Sequence, residues 1–221
     1  MIDYNIISTG SKGNAVIING RIMIDCGVSF AALRKDYLNI DIVLLTHIHS
    51  DHFKKSTIKK LSGERPSLRF ACCKWIFEDV ISCGVNASNI DVLATGVKYD
   101  YEAFMVEPFK LYHNAPNCGY KLYIDGKKVF YATDTATLDG IKAEDFDLYM
   151  VEANYEQSEI LERINEKRMN GKYSYEKEVL KNHLSRADCD AFLDANKGPG
   201  SRVVYLHQHI KKGDEGNDSD C

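Results

Sequence analysis

Three histidines and an aspartate lie within six residues, directly after an apolar run. The run covers residues 40–45, and its length and β-branched content predict a buried strand. The residues that follow it are His47, His49, Asp51 and His52. Neutral imidazole and carboxylate are ligands for borderline divalent metals such as zinc, and loops that leave buried strands often carry functional residues. The segment therefore predicts a metal site at a strand end, in preference to a surface turn that is rich in histidine by chance.

Length and composition set the class of protein. At 221 residues, 44% of them hydrophobic, the chain is long enough for one domain with a sizeable core, which we place at residues 1–210. Residues 211–221 are acidic and rich in aspartate and glycine, a composition that predicts a disordered tail. The net charge of −4 argues against a generic polyanion binder.

Three further features bear on location and partners. The chain begins without a basic segment typical of signal peptides, and no apolar stretch approaches the roughly 18 residues that a membrane span needs. Seven cysteines, an odd number, favour reduced thiols over a disulfide framework. We therefore expect a cytoplasmic protein without membrane association, and we find no feature that points to an obligate protein partner. Basic residues within 53–65 either border the metal site or form a solvated helix face.

Strand and helix patterns alternate along the chain. Asn-Gly at 19–20 and Asp-Gly at 125–126 predict tight hairpins, a helix is expected over residues 30–37, and a strand is expected over residues 101–106. Two β-rich blocks are each followed by helical segments. This order predicts an α/β fold in which two sheets pack together with helices outside them, an αββα sandwich.

Three more candidate ligands each follow a strand-like run. His113, Asp134 and His207 come after apolar segments in the same manner as His47. A single histidine at a strand end is more often structural than functional. Metal sites, however, collect their ligands from distant elements, so convergence of these residues with the first motif would make them functional.

These residues together resemble the metallo-β-lactamase superfamily, and the resemblance extends from residue 8 to residue 207. It implies two packed mixed sheets and two divalent ions, either zinc or manganese, with iron as a further option. The residues that carry it are Asp25, the block His47-x-His49-x-Asp51-His52, His113, Asp134 and His207. By this resemblance, one ion is bound by His47, His49 and His113, the second by Asp51, His52 and His207, and both by Asp134. Asp25 is then expected to hydrogen-bond to the ligands or their loop.

Within the superfamily, three segments resemble the YycJ (WalJ) branch and the related ribonuclease Z. They are residues 8–14, residues 148–155 and residues 182–185. This branch implies a phosphodiesterase that acts on nucleic acid, most specifically a DNA exonuclease, through a hydroxide that bridges the metals. Asp51 would also accept the proton of the nucleophile, His183 would protonate the leaving oxygen or hold the phosphate, and Glu152 would orient His183. A plain helix cap explains Ser185 but not His183.

Two matters stay open from the sequence. The branch usually has His-Leu-Ser at the last ligand, whereas this chain has His-Gln-His at residues 207–209, so His209 competes with His207; the position of His207 directly after a strand favours it. The second open matter is the identity of the substrate. A cyclic nucleotide or another small phosphodiester is the alternative to nucleic acid, followed by a lactone or thioester. A non-enzymatic protein braced by metals is a further alternative, although structural zinc sites are usually built from cysteines.

Overall fold

The computed structural model describes residues 1–208. Within them, twelve strands form two six-stranded sheets, one from each half of the chain. The first sheet contains β1 (Tyr4–Ser8), β2 (Ala15–Ile18), β3 (Ile22–Ile24), β4 (Ile42–Leu45), β5 (Arg69–Cys73) and β6 (Ile90–Leu93) in that spatial order. The second contains β7 (Tyr99–Asp100), β8 (Met105–Leu111), β9 (Asn117–Ile124), β10 (Lys127–Ala132), β11 (Leu148–Glu152) and β12 (Arg202–Leu206), also in chain order.

Helices join the strands on both sides of the sandwich. They are α1 (Lys55–Glu64), α2 (Phe77–Ser82), α3 (Gln157–Met169), α4 (Glu176–Asn182) and α5 (Arg186–Asn196). Across residues 1–208, no helix is both long enough and apolar enough to cross a membrane.

Both sheets are mixed, and this determines where the loops meet. Strands β1 to β3 pair antiparallel and β3 to β6 pair parallel, whereas β7 to β10 pair antiparallel and β10 to β12 pair parallel. Parallel neighbours end at the same edge of their sheet. The loops after β3 and β4, and those after β10 to β12, therefore gather their side chains along one edge of each sheet.

The hydrophobic core has three layers. Between the sheets, Ile22 and Ile24 pack with residues of the second sheet such as Tyr120. Met23, which alternates with them, faces the other way and packs with Leu61 of α1, and a third cluster joins the second sheet to α5. Period-two alternation with both faces buried is expected for strands covered on each side. The αββα sandwich of two mixed sheets predicted from the sequence is thus confirmed.

Local predictions succeeded where turn chemistry was specific. Residues 19–20 and 125–126 all have positive φ, as the predicted hairpin turns require. The single helix expected over residues 30–37 is wrong: the segment forms two short 3-10 turns, and Leu33 is the one buried residue among them. Phe30 and Tyr37 are only partly buried against the same core, and this limited burial does not stabilise a longer helix.

The strand expected over residues 101–106 is also wrong at its start. The backbone N–H of Tyr101 donates to the carbonyl of Phe104 at 2.9 Å, and Glu102 has φ of +64°, so these residues close the turn between β7 and β8. The predicted tail at residues 211–221 lies outside the described residues.

Candidate metal centre

The candidate ligands converge at one edge of the sandwich, each delivered from the end of a strand. Asp25 follows β3, the block from His47 to His52 follows β4, His113 follows β8, Asp134 follows β10 and His207 follows β12. All seven residues predicted as metal ligands belong to two groups. Within each group, the potential ligand atoms lie within 4.8 Å of one another. His209, the alternative to His207, lies outside the described residues.

Asp134 is shared by the two groups. Its Oδ2 lies 3.9 Å from Nε2 of His47 and 3.7 Å from Nε2 of His113. Its Oδ1 lies 3.2 Å from Nε2 of His52 and 3.8 Å from Nε2 of His207. The groups are His47, His49, His113 and Asp134 on one side, and Asp51, His52, His207 and Asp134 on the other. One carboxylate thus directs each of its oxygens toward a separate group of donors.

A buried hydrogen-bond network sets the orientation of two imidazoles. Asp25 accepts from Nδ1 of His52 at 2.7 Å and from the hydroxyl of Thr46 at 2.8 Å. Because the Thr46 hydroxyl donates to Asp25, it accepts from Nδ1 of His47, which lies 3.0 Å away. In their neutral forms both rings therefore carry the proton on Nδ1 and present the lone pair of Nε2 to the cluster, as histidine ligands do when a carboxylate supports them.

The side chains of the cluster do not satisfy all of their own polar atoms, and a bound cation would do so. Nε2 of His47 and Nε2 of His207 are buried and have no hydrogen-bond partner in the described part of the chain. Buried polar atoms are almost always paired, so an unpaired imidazole nitrogen at this position indicates a missing partner. His and Asp donors without cysteine are suited to zinc, manganese or iron, and such sets leave coordination positions open.

The protonation of the cluster without a metal agrees with this. Burial lowers the pKa of His47 well below its usual value, and burial also lowers the pKa of His113. Burial opposes a charge on His52 and His207, but the carboxylates around each ring, Asp134 foremost, together outweigh it, so that the pKa of His52 lies well above its usual value and that of His207 rises to about 10. Protons on these two rings compensate the carboxylates, a role that metal cations can take over.

Glu152 and His183 form a second, adjacent unit. Oε1 of Glu152 accepts from Nδ1 of His183 at 2.5 Å, and Oε2 accepts from the backbone N–H of Thr135 at 2.9 Å and of Leu184 at 3.3 Å. Glu152 is fully buried, and its oxygens are taken by protein donors. It therefore orients His183 rather than offering a free ligand atom. Burial lowers the pKa of His183, but Glu152 and Asp134 together raise it more, so that the net shift is upward.

The His183 ring faces the cluster. It stacks on the ring of His207 with centroids 5.2 Å apart and planes 9° from parallel, and it meets the ring of His113 edge-on at 5.1 Å. The sequence signal for this unit was the two segments at residues 148–155 and 182–185, which contain Glu-Ala-Asn and His-Leu-Ser and lie side by side in the structure. Ser185 caps α5 as expected, since its hydroxyl accepts from the backbone N–H of Asp188 at 3.0 Å.

Three cluster residues have strained backbones. Asp25, Asp134 and His207 have φ of +62°, +56° and +52°, a left-handed conformation that residues with side chains seldom adopt. Such conformations cost about 1–3 kcal/mol each and persist where the surroundings enforce them, commonly at functional sites.

Asparagines that the sequence reasoning did not single out brace this arrangement. The Asn14 amide donates to the backbone carbonyl of Asp51 at 3.1 Å and lies 2.8 Å from Nε2 of His52. The Asn117 amide donates to the backbone carbonyl of Asp134 at 2.7 Å. Asn14 ends the Gly-Ser-Lys-Gly-Asn turn, so its signal was present in the sequence, whereas no pattern marks Asn117.

Gly27 is packed so tightly against the motif that it tolerates no side chain. A Cβ there would lie 1.6 Å from the carbonyl oxygen of Asp51 and 2.8 Å from the nitrogen of His52. We expect Gly27→Ala to destabilise the fold by about 3 kcal/mol, the upper end of typical overpacking costs, because backbone must move rather than a flexible side chain.

The matched control is Gly63→Ala. Gly63 lies within α1, and a Cβ at this position would meet no atom within 4 Å, so alanine there is expected to stabilise the helix by about 0.5–1 kcal/mol. Urea unfolding of both variants measures the difference. Equal stability of the two variants would contradict the described packing of the motif loop.

The basic residues after the motif have two different roles. Lys54 and Lys55 line a cavity of about 460 Å³ together with Asp51 and Lys12. Arg65, in contrast, donates at 2.7 Å to backbone carbonyls of the 3-10 segment and has a structural role. Within residues 53–65, Lys54 and Lys55 therefore border the site and Arg65 supports the scaffold, while Lys59 and Lys60 are exposed on α1.

Sequence comparison now identifies the family. A family model described as a β-lactamase superfamily domain matches residues 20–207, which is most of the chain. The chain belongs to the β-lactamase superfamily. As a member of that superfamily, it is 24% identical over a 235-residue alignment to exodeoxyribonuclease WalJ of Streptococcus pneumoniae, an alignment that covers 95% of this chain and 81% of the relative. It is also 28% identical over 134 residues to a UPF0173 metal-dependent hydrolase of Thermococcus onnurineus, which covers 57% of this chain and 59% of the relative.

Solved structures of the superfamily share the fold. The metallo-β-lactamase fold protein YhfI of Bacillus subtilis matches with a TM-score of 0.70 at 14% identity, over 94% of this chain and 86% of that one. The short form of human tRNase Z matches with a TM-score of 0.66 at 17% identity, over 94% of this chain and 92% of that one. At these identities the structural likeness establishes the fold alone. That fold agrees with the two sheets and outer helices of this chain.

Proposed function

We propose that the protein is a dinuclear metal-dependent phosphodiesterase that cleaves nucleic acid, most specifically an exonuclease acting on DNA. The observation that carries the proposal is the shared carboxylate of Asp134, with one group of donors facing each of its oxygens. In this proposal His47, His49 and His113 hold one divalent ion, zinc or manganese, and Asp51, His52 and His207 hold the other. The similarity to an exodeoxyribonuclease over 95% of the chain supports the choice of DNA.

Two ions bound at these positions supply two things: they acidify a water molecule and they neutralise the charge of the phosphate. The side chains then have separate duties. The side chain of Asp51 is 23% exposed, whereas that of Asp134 is 3% exposed. Asp51 is therefore the carboxylate of the cluster that can accept the proton of the attacking water.

His183 is placed to donate a proton to the leaving oxygen, whereas Asp51 accepts one. Its Nδ1 is committed to Glu152, so a second proton on Nε2 is available to a substrate. Glu152 fixes the ring and does not itself reach the substrate, since its oxygens already accept from protein donors. We assign His183 as the general acid and Glu152 as its positioning residue.

The cavity beside Asp51 supports a negatively charged substrate. Three lysines line it, and within residues 1–208 neither Lys12 nor Lys54 forms an ion pair, whereas Lys55 is paired with Asp79 at 3.2 Å. Unpaired cations next to a metal cluster attract phosphate groups beyond the one being cleaved. The net negative charge of the whole chain therefore does not argue against a polyanionic substrate at this face.

We expect Lys54→Ala to raise KM for DNA by up to about fivefold and to lower the slope of log KM against log salt by about 1, because one phosphate contact is lost. Lys59→Ala is the matched control: Lys59 belongs to the same basic segment and is exposed, but it does not line the cavity. Steady-state kinetics between low and moderate salt measure both variants. Equal salt slopes for Lys54→Ala and Lys59→Ala would exclude a role of the cavity in holding phosphate.

The function itself is tested with end-labelled single- and double-stranded DNA. Protein shown to contain metal is incubated with each DNA in the presence of Mn²⁺ or Zn²⁺. Cyclic mononucleotides are tested in parallel as the alternative substrate. We expect progressive shortening of DNA, abolished by a chelator and restored by the metal. If metal-loaded protein leaves DNA intact, the nuclease proposal is wrong. If it turns over cyclic mononucleotides alone, the function is that of a small-molecule phosphodiesterase.

A further inference from the structure

A second cavity, distinct from the lysine-lined one, also borders the candidate metal centre. It measures about 450 Å³ and includes His113, one of the candidate ligands, just as the first cavity includes Asp51. Its lining contains Trp75, Thr95, Lys110, Tyr112, His113 and Asn117. Each donor group thus contributes one residue to the lining of a different cavity, and the two cavities differ in chemistry.

Two large aromatic side chains are exposed in this second cavity. Trp75 is 37% exposed and Tyr112 is 47% exposed, although their neighbours Ile76 and Leu111 are buried. Trp75 follows β5 of the first sheet and Tyr112 follows β8 of the second, so the cavity lies across the seam where the metal cluster also lies. Aromatic surface left open beside a reactive centre indicates a flat, apolar ligand group.

The position of Tyr112 is fixed relative to the metal cluster. Its backbone N–H donates to the hydroxyl of Thr135 at 3.0 Å, and its carbonyl accepts from the N–H of Ala136 at 2.7 Å, so it is tied to the loop that carries Asp134. The ammonium of Lys110 lies 5.1 Å from the centre of its ring. A ligand group seated on this ring is therefore held at a constant distance from the phosphate position.

The charge of the lining selects the class of ligand. The ten residues that line the cavity include one lysine and no carboxylate. A lining that is apolar and aromatic, with one cation, suits a base that is attached to a phosphate, because stacking is available to any base and the cation favours the anionic part.

We propose that this cavity is a nucleobase subsite, in which Trp75 and Tyr112 stack on the base of the nucleotide whose phosphate lies at the metal cluster. The proposal rests on the proposed function and adds to it a direction: the base is bound on the His113 side, and the continuing phosphates lie on the Asp51 side. Recognition by stacking makes the subsite tolerant of sequence and places unpaired rather than base-paired nucleotides at the centre.

The first test uses fluorescence, because Trp75 is the single tryptophan of the chain. Zinc-loaded protein is titrated with thymidine 5′-monophosphate and, in parallel, with deoxyribose 5-phosphate, which lacks the base. We expect saturable quenching by the nucleotide alone, and about tenfold weaker nucleotide binding after Tyr112→Leu. Quenching by both compounds, or by neither at concentrations that inhibit cleavage, would overturn the proposal.

The second test separates this inference from the proposed function. Two single strands are compared, one ordinary and one with an abasic terminal nucleotide. Trp75→Leu is expected to raise KM for the ordinary strand about tenfold and to leave the abasic strand unchanged, whereas Tyr173→Ala, which removes an exposed aromatic ring outside the cavity, changes neither. If Trp75→Leu cleaves both strands with unaltered KM, the subsite is wrong while the nuclease function stands. If the unaltered protein cleaves neither strand, the function itself has failed.

Discussion

Asp134→Asn is expected to abolish DNA cleavage and to leave no more than one bound metal ion per chain. Asparagine keeps the shape of the side chain but replaces one carboxylate oxygen by a donor group, and each oxygen of Asp134 faces a different group of histidines. Residues that merely support a metal ligand cost about 10–100-fold in affinity or activity when they are changed, so loss of the shared ligand should exceed a factor of about 100. Elemental analysis of bound metal and cleavage assays measure the two effects.

Asp139→Asn is the matched control for that change. Asp139 is exposed and lies five residues further along the chain, outside both donor groups. It is expected to keep full activity and two ions. If Asp134→Asn retained two ions and cleaved DNA at a comparable rate, Asp134 would not be the shared ligand.

His183→Gln is expected to slow DNA cleavage by about 10²–10⁴-fold, the range that general acid catalysis contributes, while it leaves hydrolysis of bis(4-nitrophenyl) phosphate nearly unchanged. The leaving oxygen of DNA needs a proton, whereas 4-nitrophenolate leaves without one. Glu152→Gln is expected to show the same pattern more weakly, about 10–100-fold on DNA, because it disturbs the bond that orients His183.

The comparison of the two substrates distinguishes a proton donor from a structural residue. A change that only disturbed the fold or the metals would slow both substrates equally. Equal losses on DNA and on the activated diester would therefore contradict the assignment of His183 as the general acid, even if the losses were large.

The candidate ligands could be selected from the sequence because the ends of buried strands can be recognised in it. Runs such as residues 40–45 are apolar and short, and the polar residue after each run is where the chain leaves the core. The partition of the candidate ligands into two groups around Asp134 could not be predicted from the residues alone. It depends on the packing of two sheets and came from the resemblance to a known superfamily, not from spacing.

Other features depend on tertiary contacts that leave no local pattern. The strand β6 (Ile90–Leu93) was not predicted, because only its two end residues are buried. The brace by Asn117 and the tie between Tyr112 and Thr135 join segments far apart in the chain, and the two cavities exist only once the sheets have packed. Where a prediction failed within residues 30–37, too few apolar contacts supported the expected helix.

The most direct test of a two-ion centre built on Asp134 is an anomalous diffraction measurement on crystals of the Mn²⁺-loaded protein. We expect two anomalous peaks, one beside His47, His49 and His113 and one beside Asp51, His52 and His207, with Asp134 between them. A single peak, or peaks remote from Asp134, would contradict it.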